Sequence, residues 1–333
     1  MKKPTVMADV ARAAGVSTMT VSRAVNNKPG ISEEMREKIL AIAKAMDFKP
    51  NHYAQGLATR NTMTIGLMVP DVSNPFFAAI ARVVEGRASE AGYSVLLVNT
   101  AEDLERERDA LDTLRHQDLA GVILCSLRLP VEEVSSLIQG FATAVLLNRE
   151  LPEPIPKVIT VNVNDRRGAQ MAVKHLIDRG RSRIGFLAGP SSSVSGQRRM
   201  EGYRMALKSA GIPYEPGRVE PCAPNTDSGR EAAVALLARS PDTDALFTFN
   251  DLVAAGVLQM CQDRGLVVPK DIAVVGVDDI PLATIIRPQL TTLRINLPYL
   301  GGLSMRLLLD LIEGEGTSAS YQIEPDLVVR DSS

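Results

Sequence analysis

Apolar positions follow two different periods along this chain. Over the first 46 residues they recur every three or four positions, as in Val6 and Val10 or Val21 and Val25, which is the period of an α-helix. The features that interrupt this period are Gly15, the turn sequence NNKPG at 26–30, and Pro50. The pattern predicts three short helices at the N-terminus.

Polar residues at the expected helix starts agree with this prediction. Ser17 precedes the second apolar repeat and Ser32 precedes the third, and both can accept a hydrogen bond from an N-terminal backbone N–H. Glu33 and Glu34 follow Ser32, where negative charge stabilises a helix N-terminus. We therefore expect the second and third helices to begin just after these serines.

From Thr64 onward, a part called the body below, short apolar and β-branched runs alternate with helical stretches. The runs are TIGLMVP, YSVLLVN, LAGVILCS, TAVLLN, KVITVNV, RIGFLAGP, DALFTFN, DIAVVGVDD and TTLRI. Near-continuous apolar strands that alternate with helices are typical of parallel sheets covered on both faces. Because nine strands are too many for one small sheet, the pattern predicts an α/β body of two lobes.

Composition excludes several classes of protein. Hydrophobic residues make up 45% and charged residues 23% of the 333 residues, as in ordinary globular proteins. No apolar run reaches the roughly 18 residues of a membrane-spanning helix, and the N-terminus lacks the apolar core of a signal peptide. Cys125, Cys222 and Cys261 are odd in number and far apart, which favours free thiols in a reducing compartment. We therefore expect a cytoplasmic protein with no membrane partner.

Charge is distributed unevenly along the chain. The whole chain carries a net charge of −2, but residues 1–60 contain 10 Lys and Arg against 5 Asp and Glu. The remaining residues are therefore acidic, with a net charge of −7. A basic segment attached to an acidic body indicates that only the N-terminal segment binds a polyanion such as nucleic acid.

Residues 9–26, DVARAAGVSTMTVSRAVN, have the pattern of a helix-turn-helix. The residues that allow a close helix crossing and a tight turn are Ala8, Ala11, Ala14 and Gly15, and the valines that can share a core are Val10, Val16, Val21 and Val25. This leaves Thr18, Met19, Ser22 and Arg23 on the outer face of the second helix. In a major groove, arginine can bond guanine edges and Thr or Met methyls can pack on thymine methyls. A small helical bundle that binds nothing is the alternative, which the basic charge disfavours.

The chain resembles the lac/gal repressor (LacI/GalR) family of bacterial transcriptional regulators over essentially its whole length. The N-terminal blocks are DVARAAGVSTMTVSRAVN, ISEEMREKILAIAKAMDFKPN and AQGLAT. The body blocks are IGLMVPDVSNPFFAAIARVVE, GVILCS, HLIDRGRSRIGFLAGP, RRMEGYRMAL, FTFNDLVAAGVL and DIAVVGVDDIPLATIIRPQLTTL, in family order. The resemblance implies an all-α helix-turn-helix domain and a two-lobed body of doubly wound parallel sheets, like those of periplasmic sugar-binding proteins.

The resemblance also implies which residues contact operator DNA. They are Thr18, Met19, Ser22, Arg23 and Asn26 on the recognition helix and its end, and Tyr53 and Leu57 in the junction that follows. Leu57 matches the family's hinge leucine, which wedges into the minor groove and kinks the duplex; an ordinary linker contact is the alternative.

Val6 stands where the family usually has Thr, so we expect Thr5 to cap the first helix one residue earlier. Gly56 also departs from the family, because a better helix former is common there.

Polar residues follow the ends of the predicted body strands, where parallel sheets bind ligands. They are Asn74 with Phe76 nearby, Asn148, Asn250 and Asp278, and the resemblance adds Arg199 in RRMEGY. Amides, carboxylates and guanidinium groups beside an aromatic face suit the hydroxyl groups of a sugar. We expect Asp251 and Asp279 to be helix caps or solvated strand ends instead. Pro224 and Ile295 depart from the family at two further pocket positions and leave the sugar unidentified.

Two other functions compete with regulation. An enzyme is disfavoured because His52, His116 and His175 lack metal-ligand spacing, and because no P-loop, dinucleotide fingerprint or G-x-S-x-G occurs. Adjacent Asp278 and Asp279 would point to opposite faces of a strand and make a poor acid–base pair. We therefore expect no catalytic residues, no metal and no cofactor. A periplasmic-type sugar-binding protein without a DNA role would share the body, but it should carry a signal peptide and no basic segment.

The sequence thus predicts a transcriptional regulator, more specifically a repressor, of three parts. Residues 1–50 form the helix-turn-helix DNA-binding domain, residues 51–62 a hinge, and residues 63–333 the effector-binding and dimerisation domain. The expected partners are palindromic operator DNA, a small sugar or sugar derivative as effector, and a second copy of the chain. We expect a homodimer because one small domain reads only one half-site, and because no leucine heptad tail follows EPDLVV.

Overall fold

The computed structural model describes residues 5–25, 29–46, 48 and 63–333. Residue contacts divide the chain into two compact units, Met1–Met63, called the head, and Thr64–Ser333, which is the body. Each unit has its own hydrophobic core.

Within the described part of the head, the three predicted helices are present: α1 (Met7–Ala14), α2 (Thr18–Val25) and α3 (Glu33–Ala45). Val10, Val21 and Ile39, one from each helix, are fully buried between them. Gly15 ends α1 with a φ of 71°, a left-handed conformation that glycine adopts without strain. This glycine turns the chain from α1 into α2.

The predicted caps of α2 and α3 are confirmed. Ser17 Oγ accepts a hydrogen bond from the Thr20 N–H at 3.1 Å, and Ser32 Oγ accepts one from the Met35 N–H at 3.3 Å. Each serine thus satisfies a backbone donor that has no partner inside its helix.

Two expectations about α1 are wrong. Ala8 is exposed, so it does not lie at the helix crossing. Thr5 does not cap the helix, because its hydroxyl donates to the Met46 carbonyl at 3.0 Å. Instead the Asp9 carboxylate accepts a hydrogen bond from the Val6 N–H at 3.1 Å. The start of α1 is therefore satisfied from within the helix.

Within the described residues, the body contains two six-stranded sheets. The first consists of β1 (Thr64–Val69), β2 (Ser94–Asn99), β3 (Gly121–Cys125), β4 (Ala144–Leu147), β5 (Val158–Val163) and β11 (Ser320–Ile323). The second consists of β6 (Ile184–Ala188), β7 (Val219–Pro221), β8 (Ala245–Thr248), β9 (Ala273–Asp278), β10 (Thr291–Arg294) and β12 (Asp326–Val328). The orders are β11-β5-β4-β3-β1-β2 and β12-β10-β9-β8-β6-β7, so the two sheets have the same topology.

All strand pairs are parallel except β10 with β12. Each of the nine apolar runs forms a strand, whereas the three short edge strands β7, β11 and β12 lie outside those runs. Burial on both faces is confirmed for β3, β4, β5 and β9. The prediction is wrong for the edge strand β2, where Leu96 and Leu97 are 40% and 43% exposed.

The helices of the body cover both faces of each sheet. They are α4 (Pro75–Glu90), α5 (Leu104–His116), α6 (Val131–Ile138), α7 (Asp165–Asp178), α8 (Val194–Ser209), α9 (Thr226–Arg239), α10 (Asp251–Asp263), α11 (Leu282–Ile285) and α12 (Leu297–Glu313). On the first sheet, α4 and α12 cover one face and α5 and α6 the other. On the second sheet, α7 and α8 cover one face and α9 and α10 the other.

The chain passes between the two sheets three times, after β5, after β10 and after β11. The first lobe therefore comprises residues 64–163 and 297–323, and the second lobe comprises residues 165–294 and 326–333. Since both lobes contain parallel strands of one topology, each offers a loop-bearing sheet edge of the kind that binds ligands.

A glycine contact in the second lobe yields a stability test. A Cβ on Gly256 of α10 would lie 2.0 Å from the Thr226 carbonyl oxygen and 2.7 Å from the Arg230 nitrogen of α9. Gly256→Ala should therefore lower the free energy of unfolding by about 1–3 kcal/mol, because two backbones must separate. Gly86→Ala, where the Cβ meets open space in α4, should raise it by about 0.5–1 kcal/mol. Urea unfolding followed by circular dichroism measures both, and equal midpoints for the two variants would contradict this account.

Candidate functional site

A cavity lies between the two lobes of the body, and small-molecule sites are common at such an interface. From the first lobe it is lined by Asn74, Phe76, Phe77, Glu102, Ser126, Arg128 and Asn148. From the second lobe it is lined by Ser193, Ser195, Arg199, Pro224, Phe249, Asn250 and Asp278. The structure thus brings together the six residues proposed from sequence for effector binding, and their role stays a prediction.

The strand order places these side chains. In each sheet the chain winds in opposite directions from the first strand, β1 or β6, so a crevice opens beyond the carboxyl ends of the central strands. The wall residues follow such strand ends: Asn74 after β1, Ser126 after β3, Asn148 after β4, Asn250 after β8, and Asp278 at the end of β9.

Four residues of the cavity wall have positive φ angles. They are Glu102 at 58°, Ser126 at 49°, Asn148 at 53° and Asp278 at 116°. L-residues adopt this region at a cost, and such strain is concentrated at functional sites, where the surroundings hold it. The strained backbone marks the ends of β3, β4 and β9 as parts of one built site.

The three amides of the wall are held by backbone groups. Asn74 Oδ1 accepts from the Phe76 N–H at 3.0 Å and caps α4, while Asn250 Oδ1 accepts from the Val253 N–H at 2.9 Å and caps α10. Asn148 Oδ1 accepts from the Val163 N–H at 3.1 Å. Because each oxygen is fixed in this way, the amides are pre-oriented before any ligand arrives.

Arg199 is the most strongly held group of the second lobe wall. Its Nε and Nη2 both lie 2.8 Å from Asp165 Oδ1, and Nη1 donates to the Phe249 carbonyl. The guanidinium also lies 4.9 Å from the centre of the Phe249 ring. With 5% of its surface exposed, Arg199 is a buried cation fixed by a carboxylate, a carbonyl and an aromatic face.

Asp278 lines the same cavity as this cation and lies within the range of its charge. Burial raises the pKa of the Asp278 carboxyl to about 7, Arg199 opposes the rise, and the nearby Asp165 carboxylate adds to it. A carboxyl that titrates near neutral pH can donate or accept hydrogen bonds at the site. Such a group suits hydroxyl ligands.

Asp251 and Asp279 do not line the cavity, and they are not solvated strand ends. Asp251 is fully buried and accepts hydrogen bonds from Thr292 Oγ1 at 2.6 Å and from the Ile280 N–H at 2.9 Å. Burial raises the pKa of its carboxyl well above the usual value. Asp279 pairs with arginines at 2.6 and 2.5 Å, which are Arg294 and Arg330. Both carboxylates are structural, and the cap of α10 is the preceding Asn250.

Phe77, which follows Phe76 beyond the first strand, also lines the cavity. The wall residues that were not predicted from sequence are Glu102, Ser126, Arg128, Ser193, Ser195 and Phe249. Ser126 ends the run LAGVILCS and Phe249 stands next to last in DALFTFN, so both have the strand-end position that marks the predicted residues. Glu102 and Arg128 carry no such signal. Pro224 lines the cavity, whereas Ile295 is 3% exposed and packs in the core.

In the head, three of the proposed DNA-contacting residues on α2 are exposed: Thr18, Arg23 and Met19, with Met19 at 65%. Ser22 is half-buried. The opposite side of α2 is buried at Val21 and Ala24, so Thr18, Met19 and Arg23 lie on the outer face of α2 as predicted. Asn26, Tyr53 and Leu57 lie outside the described residues.

Comparisons with known proteins agree with both units. Residues 6–51 match the model for bacterial regulatory proteins of the lacI family, and residues 173–333 match a periplasmic binding protein-like domain. The ribose operon repressor of Halalkalibacterium halodurans is 36% identical over 330 residues, which cover 98% of this chain and 97% of the relative. The regulator GalR of Escherichia coli is 34% identical over 325 residues, covering 97% and 94%. The lac repressor dimer bound to operator and the anti-inducer ONPF is 28% identical, with a TM-score of 0.90 and 99% of each chain covered.

The fold and the site define a DNA-binding transcriptional regulator, with a helix-turn-helix head and a periplasmic-binding-protein-like body. This chain belongs to the lacI family of bacterial regulatory proteins. Since its relatives are regulators, the enzyme alternative is set aside, and the match of the head argues against a binding protein without a DNA role. Among the helices that the structure describes, none combines the length and apolar character needed to cross a bilayer.

The titration of Asp278 predicts a pH effect on stability. Between the ordinary pKa of 3.8 and the raised value of about 7, the folded protein binds more protons at this carboxyl than the unfolded chain. The contribution of Asp278 to stability therefore falls as pH rises through this window. Asp278→Asn removes the effect, so its free energy of unfolding should increase relative to wild type from pH 4 to pH 7. Urea unfolding across this range measures the difference, with the exposed Asp178→Asn as control. A flat difference for Asp278→Asn would refute the assignment.

Proposed function

We propose that this protein is a cytoplasmic repressor that binds a palindromic operator as a homodimer. A small sugar or sugar derivative bound in the cavity between the lobes controls the affinity for DNA. The observation that carries the proposal is the cavity lined by amide, carboxyl and guanidinium groups from both lobes, in a chain whose head belongs to the lacI family. The names of the relatives, among them a ribose operon repressor, support a sugar effector.

On the DNA side, we propose that Thr18, Met19, Ser22 and Arg23 read base edges in the major groove. Arg23 is exposed near the end of α2, where a guanidinium can bond guanine bidentately. Asn26, Tyr53 and Leu57 complete the proposed contact set. The proposed division is a DNA-binding domain at 1–50, a hinge at 51–62 and an effector-binding and dimerisation domain at 63–333, and the contact boundary near residue 63 supports it.

On the effector side, the cavity offers the chemistry that hydroxyl groups require. The proposed contacts are Asn74, Phe76, Asn148, Arg199, Asn250 and Asp278. Phe76, Phe77 and Phe249 add apolar ring surface of the kind on which sugar rings pack. Because the two sets of contacts come from different lobes, a bound ligand would fix the angle between the lobes, and that angle is the quantity a ligand can shift.

The two-fold symmetry of a palindromic operator and the exposed apolar residues of β2 support a homodimer. One head reads one half-site, so a palindrome needs two heads. The exposed leucines of β2, Leu96 and Leu97, offer apolar area for a second copy. The related lac repressor was solved as a dimer on its operator.

Base reading by Arg23 predicts a specific loss in the head. Sequencing the DNA retained by the purified protein from a random pool should give a palindrome. Arg23→Ala should then relax the preference at one base pair in each half-site, a change of about 1–3 kcal/mol in discrimination. The control Arg12→Ala removes another exposed arginine of the head, on α1, and should leave base preference unchanged. If Arg23→Ala selects DNA with the same base preference at every position as wild type, the assignment of the recognition face is wrong.

The cavity residue Asp278 predicts a separable loss of response. Asp278→Ala should bind the selected operator as wild type does when no sugar is present. It should bind the sugar that shifts operator affinity about 10- to 150-fold more weakly, because a hydrogen bond to a charged group is lost. Gel shift and calorimetry measure the two parts. Normal sugar binding by the variant would remove Asp278 from the site, and weak operator binding without sugar would make it structural.

A further inference from the structure

Among the wall residues that no sequence pattern indicates, two form an ion pair inside the cavity. Arg128 Nε donates to Glu102 Oε2 at 2.7 Å and Arg128 Nη2 donates to Glu102 Oε1 at 2.9 Å, so the pair is bidentate. The side chains are 5% and 19% exposed, which sets this pair apart from the exposed surface pairs. This bidentate geometry fixes the orientation of both the Arg128 guanidinium and the Glu102 carboxylate.

The backbone that carries Arg128 is clamped from two sides. The buried Glu107 carboxylate accepts hydrogen bonds from the N–H of Arg128 at 2.9 Å and of Leu129 at 3.0 Å. Arg149 donates to the carbonyl of Leu129 at 2.6 Å. Charged groups buried under a loop in this way fix its conformation, so the Arg128 guanidinium is presented to the cavity from a rigid support.

The guanidinium still has donors to offer. Of its five N–H groups, two are used by Glu102, and Nη1 donates a third to Ser193 Oγ at 3.2 Å, on the second lobe. Ser193 in turn caps α8, because its Oγ accepts from the Gly196 N–H at 3.1 Å. The remaining N–H groups, together with the Glu102 carboxylate, make a paired donor and acceptor of the kind that neighbouring hydroxyl groups can bridge.

The positive charges at the cavity are balanced by carboxyl groups. The two cations, Arg128 and Arg199, are matched by Glu102 and by Asp165, and Asp278 adds a third carboxyl. A phosphate or carboxylate ligand would add negative charge to a site whose two cations are already neutralised, and it would lie near the Asp278 carboxyl. The cost of an uncompensated buried charge disfavours that arrangement.

We propose that Arg128 and Glu102 are the specificity-determining pair of the cavity. They select an uncharged polyhydroxylated effector and exclude its phosphorylated and carboxylated counterparts. The inference rests on the proposed function, since it takes the cavity as the effector site. It adds the charge class of the effector and two residues that read it.

The test uses the full-length protein and a panel of probes. The uncharged probes are ribose, xylose, glucose and galactose, and the anionic probes are ribose 5-phosphate, glucose 6-phosphate and glucuronic acid. Thermal unfolding at equal probe concentrations should show stabilisation of wild type by at least one uncharged probe and by no anionic one. Stabilisation by an anionic probe, or by no uncharged probe, overturns the inference.

Two variants test the pair itself by calorimetry with the same probes. Arg128→Met should weaken binding of the uncharged probe by about 10- to 150-fold. Glu102→Gln keeps the side-chain volume and removes one negative charge, so it should weaken the uncharged probe and strengthen its phosphorylated or carboxylated counterpart at least about tenfold. A gain of this kind cannot arise from misfolding. The control Glu201→Gln, which breaks the exposed Arg166–Glu201 pair, should change neither affinity.

The outcomes separate this inference from the proposed function. If Glu102→Gln leaves the preference between the two classes unchanged, the specificity role is refuted while regulation through the cavity stands. If the uncharged probe binds equally well to wild type, Arg128→Met and Asp278→Ala, it binds elsewhere, and both the inference and the effector site are refuted. DNA selection on the same preparations reports on the head independently.

Discussion

One buried cation, Arg199, holds together the segments that make the site. Its guanidinium joins α8 to Asp165, which begins α7 just after the chain has crossed from the first lobe, and to the Phe249 carbonyl at the end of β8. A charge at this depth is tolerated only when its donors are matched. The crossing, the loop after β8 and the cavity wall are therefore constrained together, and the pKa of Asp278 depends on the same cation.

The sequence predicts the layers of the body because parallel strands that are buried on both faces have to be continuous apolar runs. Runs such as GVILC and VITVNV are too short for a buried helix and rich in β-branched residues, which favours a buried strand. The edge strand β2 has the same composition and yet exposes Leu96 and Leu97, since composition records neither the position of a strand in its sheet nor what covers it. Likewise Ala8 has the right size and spacing for a helix crossing but lies on the exposed side of α1.

The site is predictable to the extent that it lies at strand ends. Asn148 and Asp278 stand at or next to the ends of apolar runs and line the cavity. Asp279 and Asp251 also stand at or just after such ends, but their carboxyl groups contact other residues. Asp278 and Asp279 differ in direction because of the backbone at the end of β9. Both have a positive φ, so their side chains do not follow the alternation of a regular strand. Glu102 and Arg128 depend on the path of two loops, and residue type alone does not specify such a path.

The three crossings between the lobes have a consequence for biosynthesis. Neither lobe is a continuous stretch of chain, because the first lobe receives α12 and its edge strand β11 only after the second lobe has been traversed. On the ribosome, domains tend to fold as units in order of synthesis. Here the first lobe must wait, with the α4 face that α12 covers exposed, until residue 323 has emerged. The first lobe is complete only after residue 323 has been synthesised, so a chain truncated before that residue would present a head without a complete cavity wall.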